Sequence, residues 1–343
     1  MSIAKQQDAD QMQTPNQPQN PLERLADILS EDMLQVNKRI IEHLHSDVPL
    51  IPQIASYLIA AGGKRIRPLL TLACTRLYGY DGDRPFNLAA SVEFIHTATL
   101  LHDDVVDESE QRRGKKATNL VFGNQATVLV GDFLFSRAFQ LMVADGNLEV
   151  LRILSDASAI ITQGEVKQLS IANNLDTSME DYVDVIKAKT AALFSASTEI
   201  GPVIAGAPQD QIEAMHEYGL NLGIAFQIID DVLDYSAEQG KLGKSVGDDF
   251  YEGKITAPIL FTLENANDEE RAFMQRTIAQ KQFEDGDLET MQDIFSRHDA
   301  LEKGMQMAPE YGELAKKALS KTPENELRTL LDEVIGFTIE RKF

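Results

Sequence analysis

Apolar residues recur at helical spacing over almost the whole chain beyond residue 20. Leu22, Leu25, Ile28 and Leu29 mark one stripe, and others run through 85–107, 125–142, 147–170, 179–203 and 210–235. A period near 3.6, few alternating runs and no turn pair flanked by such runs predict an all-α chain. The stripes break at Gly62-Gly63, Tyr80–Arg84, Gly114, Gly146, Asn173-Asn174, Gly206–Pro208 and Gly240–Gly243, where turn residues gather. Residues 1–20 are rich in Gln, Asn, Asp and Pro with almost nothing to bury, a composition that predicts a disordered polar tail. No Pro/Gly/Ser linker divides 21–343, so a single helical domain is expected there. Its acidic end, from about 267, reads as plain helical packing.

Composition narrows the function. Hydrophobic residues make up 43% of 343, enough for a sizeable core, and the formal charge is −22. Such a charge argues against a nucleic-acid groove or a polybasic membrane patch. A protein this acidic repels anions at long range, so any diphosphate must be handled with metal ions and a few placed cations. The single cysteine, Cys74, lies in the apolar run 69–77, which rules out a disulfide within the chain and suggests a buried thiol. No secretory signal opens the sequence, and charges interrupt the apolar stretches before the roughly 20 residues of a membrane span. A soluble cytoplasmic protein is expected.

Two carboxylate clusters carry the chemistry. Residues 100–114 read Leu-Leu-His-Asp-Asp-Val-Val-Asp-Glu-Ser-Glu-Gln-Arg-Arg-Gly, and residues 226–235 repeat the spacing as Phe-Gln-Ile-Ile-Asp-Asp-Val-Leu-Asp-Tyr. On a helix Asp103 and Asp107 lie one turn apart on one face, with Asp104 on the adjacent row; Asp230, Asp231 and Asp234 repeat the arrangement. Three crowded carboxylates repel one another unless a hard cation neutralises them. Oxygen donors without Cys or His at ligand spacing suit Mg²⁺, which keeps waters and shares phosphate oxygens. A solvated acidic helix end explains one such motif as well; two copies, each followed by basic residues, disfavour it.

The cations lie close by in sequence. Arg112-Arg113 follow the first cluster, and Lys244 and Lys254 follow the second around Asp248-Asp249. Upstream, Gly62-Gly63-Lys64-Arg65-Ile66-Arg67-Pro68 joins two apolar helices and sets Lys64 and Arg67 at a helix N-terminus, where orphan amides also favour an anion. Neither Gly63-Lys64 nor Gly243-Lys244 is a Walker loop: Lys64 is followed by Arg65, and position 238 is Glu238 instead of the required glycine. His96 lies two helical turns before Asp103 on the same face, which favours ligand binding over a packed core histidine.

Together these blocks resemble the trans-isoprenyl (polyprenyl) diphosphate synthase family from about residue 22 to 265. The resemblance rests on Gly62–Pro68, His96, the first aspartate motif through Arg113, Gly131-Asp132, Lys189-Thr190, Phe226-Gln227 and the second motif through Lys254. It implies an isoprenoid-synthase-type helical bundle around a central cavity, and about three Mg²⁺ per active site holding an allylic diphosphate between the motifs. Asp103, Asp107 and Asp230 would be direct ligands, with Asp104, Asp231 and Asp234 ligating or orienting metal-bound water. Arg112, Lys189 and Lys244 would grip the allylic diphosphate, with Lys254 nearby. Lys64, Arg67, His96 and Arg113 would hold isopentenyl diphosphate, and Thr190 and Gln227 would sit near the reacting carbons. The implied reaction ionises the allylic diphosphate, adds the isopentenyl double bond to C1, and loses a proton to the departed diphosphate. A homodimer, with 125–142 at its interface, and a peripheral membrane contact for product release belong to the same expectation.

Chain length follows from the helix leading into Asp103. Position 98 lies roughly 7–8 Å from Asp103 along the axis. In short-chain members a bulky aromatic near this level closes the tunnel; Ala98 and Thr99 are too small to do so. With the wording of the motifs, this favours a C40–C50 product, octaprenyl to decaprenyl, supplying a quinone side chain; the alternative is a C15–C20 farnesyl or geranylgeranyl product. Three rivals are weighed. A terpene cyclase would lack the second intact motif and Lys64/Arg67. An HD-type phosphohydrolase, suggested by His102-Asp103, would need a set of metal-binding histidines, and of the six (His43, His45, His96, His102, His216, His298) those outside His96 and His102 stand in unremarkable contexts. A non-catalytic partner subunit would lack the aspartates.

Overall fold

The computed structural model describes residues 19–60, 65–112, 114–236 and 246–340, and nearly every element among them is a helix. Asn20 accepts the Glu23 amide while the Glu23 carboxylate accepts the Asn20 amide, with Pro21 in first position, and this reciprocal cap opens α1 (Pro21–Ile28). Gln19 and Asn20, read from composition as the end of the tail, thus already belong to a helix start; residues 1–18 lie outside the described residues. α2 (Ser30–Leu44), α3 (Leu50–Ala60), α4 (Ile66–Leu77) and α5 (Arg84–Val106) follow. A two-residue antiparallel ladder then pairs β1 (Gln111–Arg112) with β2 (Lys115–Lys116), Gln111 opposite Lys116. Gly114 turns this hairpin at φ +72°, a conformation open to glycine at no steric cost. The sequence gives no strand signal here, because two residues are too few to show alternation.

α6 (Thr118–Phe122), α7 (Asn124–Asp145), α8 (Leu148–Ile171) and α9 (Met179–Ile186) come next. The 179–203 stripe is not one α-helix: a π turn at Lys187–Ala191 separates α9 from α10 (Ala192–Ala205). α11 (Gln209–Leu233), α12 (Asp248–Glu252), α13 (Ala257–Asn265), α14 (Asp268–Met274), α15 (Asp287–Arg297), α16 (Ala300–Leu319) and α17 (Glu326–Ile339) complete the chain. Breaks predicted at Gly146 and Gly206 are left-handed helix C-caps, and those at 80–84 and 173–174 fall between helices; Gly62-Gly63 and Gly240–Gly243 lie outside the described residues.

α5 packs against α2, α4 and α7, and α11 against α10 and α16. One apolar core gathers around α4, α5 and α10, with Leu72, Leu88, Phe94 and Phe194 fully buried; a second gathers around α13, α15 and the last turns of α11, with Ile228, Phe250 and Phe295. α11 supplies both, Tyr218 and Leu222 to the first and Ile224 and Ile228 to the second. The acidic C-terminal segment has a specific task in this arrangement. α16 lies so close to α11 that a Cβ on Gly304 would stand 2.7 Å from Val232, within the second aspartate motif.

α7 corrects one expectation. It is long and apolar enough to cross a membrane by length and composition, with mean hydropathy 1.4 over 18 residues, because Asp132 and Arg137 interrupt its runs without lowering the average much. It packs Val130, Leu134, Ala138 and Leu141 inward, while Leu129 and Val143 remain about two-thirds exposed. A core helix with one apolar face left open passes the same test.

Candidate active site at two helix C-termini

Both aspartate motifs sit where a helix runs out. Asp103 and Asp104 occupy the last turn of α5 and Asp107 caps it; Asp230 and Asp231 occupy the last turn of α11 and Asp234 caps it. Helix C-termini already present unpaired carbonyls and the negative end of the macrodipole, so carboxylates there are doubly disfavoured without cations. Two lysines answer this. Lys189 Nζ lies 2.8 Å from Glu165 Oε2, 2.8 Å from Gln168 Oε1 and 3.7 Å from Asp103 Oδ2. Lys254 Nζ stands 3.3 Å from Asp107 Oδ2 and 3.7 Å from Asp249 Oδ1, and also pairs with Glu252. Asp249 in turn donates its backbone amide to Asp234 Oδ2 of the second motif at 3.1 Å. The two motifs, remote in sequence, are therefore joined through Lys254 and Asp249.

The titration behaviour follows the same geometry. Burial pushes the Asp103 carboxyl above its ordinary range, Lys189 opposes this and Asp107 adds to it. Asp231 is pushed up to about 8, first by burial and then by Asp249, against hydrogen bonds from Tyr182 and Gln227. Burial alone would lower the Lys254 ammonium, but Asp249, Asp107 and Glu252 together hold it well above its usual value. Among the described residues this corner has more carboxylates than lysines to neutralise them, a setting that favours a bound divalent cation.

Within each motif the aspartates divide their work. Asp104 is fully buried; its Oδ1 accepts Arg112 Nε at 2.8 Å and Nη2 at 2.7 Å, and its Oδ2 accepts the Thr118 amide at 3.3 Å. Asp104 thus braces the β1–β2 ladder through Arg112. Asp234 Oδ2 accepts the Asp249 amide at 3.1 Å and so fixes the start of α12. Asp231 is held on both oxygens, Oδ2 by the Tyr182 hydroxyl at 2.7 Å and Oδ1 by Gln227 Nε2 at 2.6 Å. Asp103, Asp107 and Asp230 are the half-buried members.

Lys189 and Thr190 reach the site because the π turn carries them. A π turn inserts one residue into a helical ladder and is common at functional sites. It is clasped on two sides by glycines: a Cβ on Gly164 would lie 2.6 Å from Ala188 Cβ, and one on Gly223 would lie 2.6 Å from Ala191 Cα. Thr190 Oγ1 then donates to Gln227 Oε1 at 2.7 Å. A cavity of about 80 Å³ opens beside these groups, lined by Lys189, Thr190, Gln227, Asp231, Asp249 and Lys254 on its polar side and by isoleucines such as Ile186 on the other.

A second cationic position lies along α5 and α4. Arg67, at the start of α4, stacks its guanidinium 4.5 Å over the Phe194 ring and places Nη1 3.4 Å from His96 Nε2. The sequence pairing of Arg67 with His96 is thus met in space. Arg65 begins α4 in the left-handed region at φ +46°. Lys64, Arg113 and Lys244 lie outside the described residues. Ala98 is fully buried in α5, and the half-buried Thr99 spends its hydroxyl on the His96 carbonyl at 2.9 Å; neither lines the cavity above. Sequence reasoning passed over Tyr182, Glu165, Gln168 and Glu252. Tyr182 sits in the apolar stripe of α9 and looks like core, and the partners of the other three are set only by tertiary packing.

The histidines do not form a metal set. His102 Nε2 faces the Val128 carbonyl at 3.2 Å and Asp132 at 3.4 Å on α7, His216 pairs with Glu199 at 2.9 Å, and His298 with Glu270 at 2.9 Å. Among the described residues, no three His, Cys, Asp or Glu side chains converge closely enough to enclose an ion by themselves. A metal here must complete its shell with water or ligand oxygens. That suits Mg²⁺, which keeps several waters and takes one or two carboxylates, and is unlike a closed zinc site.

The octaprenyl diphosphate synthase of Escherichia coli (strain K12) is 43% identical over 320 residues, covering 93% of this chain and 99% of that one. The structure of a decaprenyl diphosphate synthase from Rhodobacter capsulatus superposes with TM-score 0.89 at 51% identity, over 93% of this chain and 99% of the other. A polyprenyl synthase from Caulobacter crescentus CB15, complexed with calcium and isoprenyl diphosphate, superposes with TM-score 0.91 at 46% identity, over 94% and 99%. The polyprenyl synthetase family model matches residues 48–295, a span that holds both aspartate motifs, Lys189 and Lys254. With its helical bundle and its paired carboxylate clusters, this chain belongs to the polyprenyl synthetase family.

Proposed function

We propose that the protein is a long-chain, all-trans polyprenyl diphosphate synthase that adds isopentenyl diphosphate stepwise to an allylic diphosphate, such as farnesyl diphosphate, to reach C40–C50. The observation that carries the proposal is the junction of the two aspartate motifs through Lys254, with Lys189 against the first. It is supported by the octaprenyl and decaprenyl synthases among its relatives and by the small Ala98 where a short-chain enzyme would need bulk. A quinone side chain is the corresponding use of the product.

In this reading Asp103, Asp107 and Asp230 hold magnesium, on which the family depends; about three ions are proposed, with Asp231 and Asp234 shaping the second motif around them. Bound Mg²⁺ supplies charge stabilisation to a departing diphosphate. Lys189 and Lys254 keep their protons and present fixed positive charge to the same anion. Arg112, aimed by Asp104, stands beside them. Arg67 and His96 receive isopentenyl diphosphate, and Phe194 beneath the Arg67 guanidinium keeps that fork in one orientation. Lys64, Arg113 and Lys244 are proposed to join these two groups. Thr190 and Gln227 direct dipoles at the reacting carbons, and the apolar cavity wall excludes water from a carbocation. Asp231, the carboxylate pushed up to about 8, has both oxygens engaged by Tyr182 and Gln227, so the departed diphosphate is assigned the proton.

We also infer that residues 21–343 form one domain, since α11 feeds both cores, and that two copies pair through the open apolar face of α7. A cytoplasmic enzyme with a peripheral membrane contact for product release fits water-soluble substrates and a lipid product. The test is to incubate the protein with Mg²⁺, farnesyl diphosphate and labelled isopentenyl diphosphate and to size the dephosphorylated products. C40–C50 chains are expected; no condensation, or a stop at C15–C20, overturns the reading.

A further inference from the structure

Along the cavity wall runs a chain of three side-chain hydrogen bonds. The Tyr182 hydroxyl donates to Asp231 Oδ2 at 2.7 Å, Asp231 Oδ1 accepts Gln227 Nε2 at 2.6 Å, and Gln227 Oε1 accepts Thr190 Oγ1 at 2.7 Å. Tyr182 and Thr190 lie on the same α9–π segment, while Asp231 and Gln227 lie one turn apart on α11. The four side chains therefore stitch the π turn to the end of α11.

The donor and acceptor inventory fixes every orientation in this chain. Tyr182 and Gln227 both donate to Asp231, so the nitrogen end of the Gln227 amide faces Asp231 and its oxygen end faces Thr190. The Thr190 proton is then committed to Gln227. Tyr182, buried on α9, supplies Asp231 with its second donor. Without that donor the carboxylate is left underpaired in a dry site and is free to rotate, and the amide it aims rotates with it.

We propose that Tyr182 is a positioning residue for prenyl transfer: its phenol, acting through Asp231, fixes the Gln227 amide and with it the Thr190 hydroxyl at the reacting carbons. Its hydroxyl is spent on Asp231. Its effect falls on the orientation of dipoles during the chemical step, so it governs kcat and leaves substrate affinity alone. This inference rests on the prenyl-transfer reading above.

The experiment is a double-mutant cycle of Tyr182→Phe and Thr190→Val, with kcat and KM for isopentenyl diphosphate measured at saturating allylic diphosphate and Mg²⁺. Tyr182→Phe removes one oxygen from a filled site, and circular dichroism checks that the helices are retained. Its kcat is expected to fall about 10- to 100-fold, as for other groups that orient a reacting shell, with KM within about twofold of wild type. The double variant is expected to be no slower than the worse single variant, because both changes break one chain. A wild-type kcat for Tyr182→Phe, a loss confined to KM, or two losses that multiply would overturn the proposal. If the wild-type protein itself fails to condense the two diphosphates, the prenyl-transfer reading has failed; if it turns over and Tyr182→Phe matches it, only the role of Tyr182 has.

Discussion

Neighbouring aspartates of the first motif should respond in opposite ways to the loss of their charge. Asp104 has no exposed surface and holds Arg112 through two contacts of 2.7 and 2.8 Å, plus the Thr118 amide. Removing one partner of a buried ion pair costs about 3–5 kcal/mol. Asparagine keeps the volume and one acceptor, so we take the lower end, about 3 kcal/mol. At about 2 °C per kcal/mol for a large domain this is a fall of about 6 °C in Tm. Asp103 is the reverse case. Burial and Asp107 disfavour its charge, and Lys189 at 3.7 Å compensates only in part. Asp103→Asn removes that penalty, so its Tm without Mg²⁺ should equal or exceed that of wild type. Activity should invert the order: Asp103→Asn loses on the order of 10²–10³ in kcat, as when a charge-stabilising group is deleted, and Asp104→Asn loses about 10–100-fold by misplacing Arg112. The assay pairs thermal unfolding in EDTA with initial rates of isopentenyl incorporation. An Asp104→Asn melting within 1 °C of wild type, or an Asp103→Asn destabilised as much as Asp104→Asn, would refute this division of labour.

Two further predictions come from other parts of the fold. If position 98 limits chain growth, Ala98→Phe should shorten the product by at least one isoprene unit, read by chromatography of the dephosphorylated chains; an unchanged distribution would show that position 98 does not set product length. His216 bonds Glu199 at 2.9 Å, and that partner raises the imidazole pKa above its ordinary value. A raised folded-state pKa contributes stability that is complete below the unfolded value of about 6.5 and is lost as pH rises through the folded value. The Tm gap between wild type and Glu199→Gln should therefore be widest near pH 6 and shrink toward pH 9, and a gap independent of pH would show that the pair contributes nothing through charge.

The legible part of this protein was local. Asp103 and Asp107, or His96 and Asp103, share a helix face by spacing alone, and a glycine before a proline marks the start of α4 wherever the rest of the chain goes. Spacing could not separate Asp104 from Asp103, because the difference lies in Arg112 returning through a hairpin of two-residue strands. Nor could it place the π turn, whose sequence Lys-Ala-Lys-Thr-Ala fits an ordinary helix; only the close glycines of α8 and α11 define it. Tyr182 reads as core because its ring is core, and its hydroxyl acquires meaning only from Asp231, 49 residues away. The C-terminal segment looked bland for the same reason: the contact of Gly304 with Val232 is a tertiary fact.

The most direct test of the whole account is crystallographic, with Mn²⁺ in place of Mg²⁺ and a non-ionisable allylic thiodiphosphate. Anomalous scattering should locate manganese between Asp103 and Asp107 on one side and Asp230 on the other, with a single diphosphate bridging them beside Lys189 and Lys254. Ions confined to one motif, or a diphosphate bound away from both lysines, would contradict it.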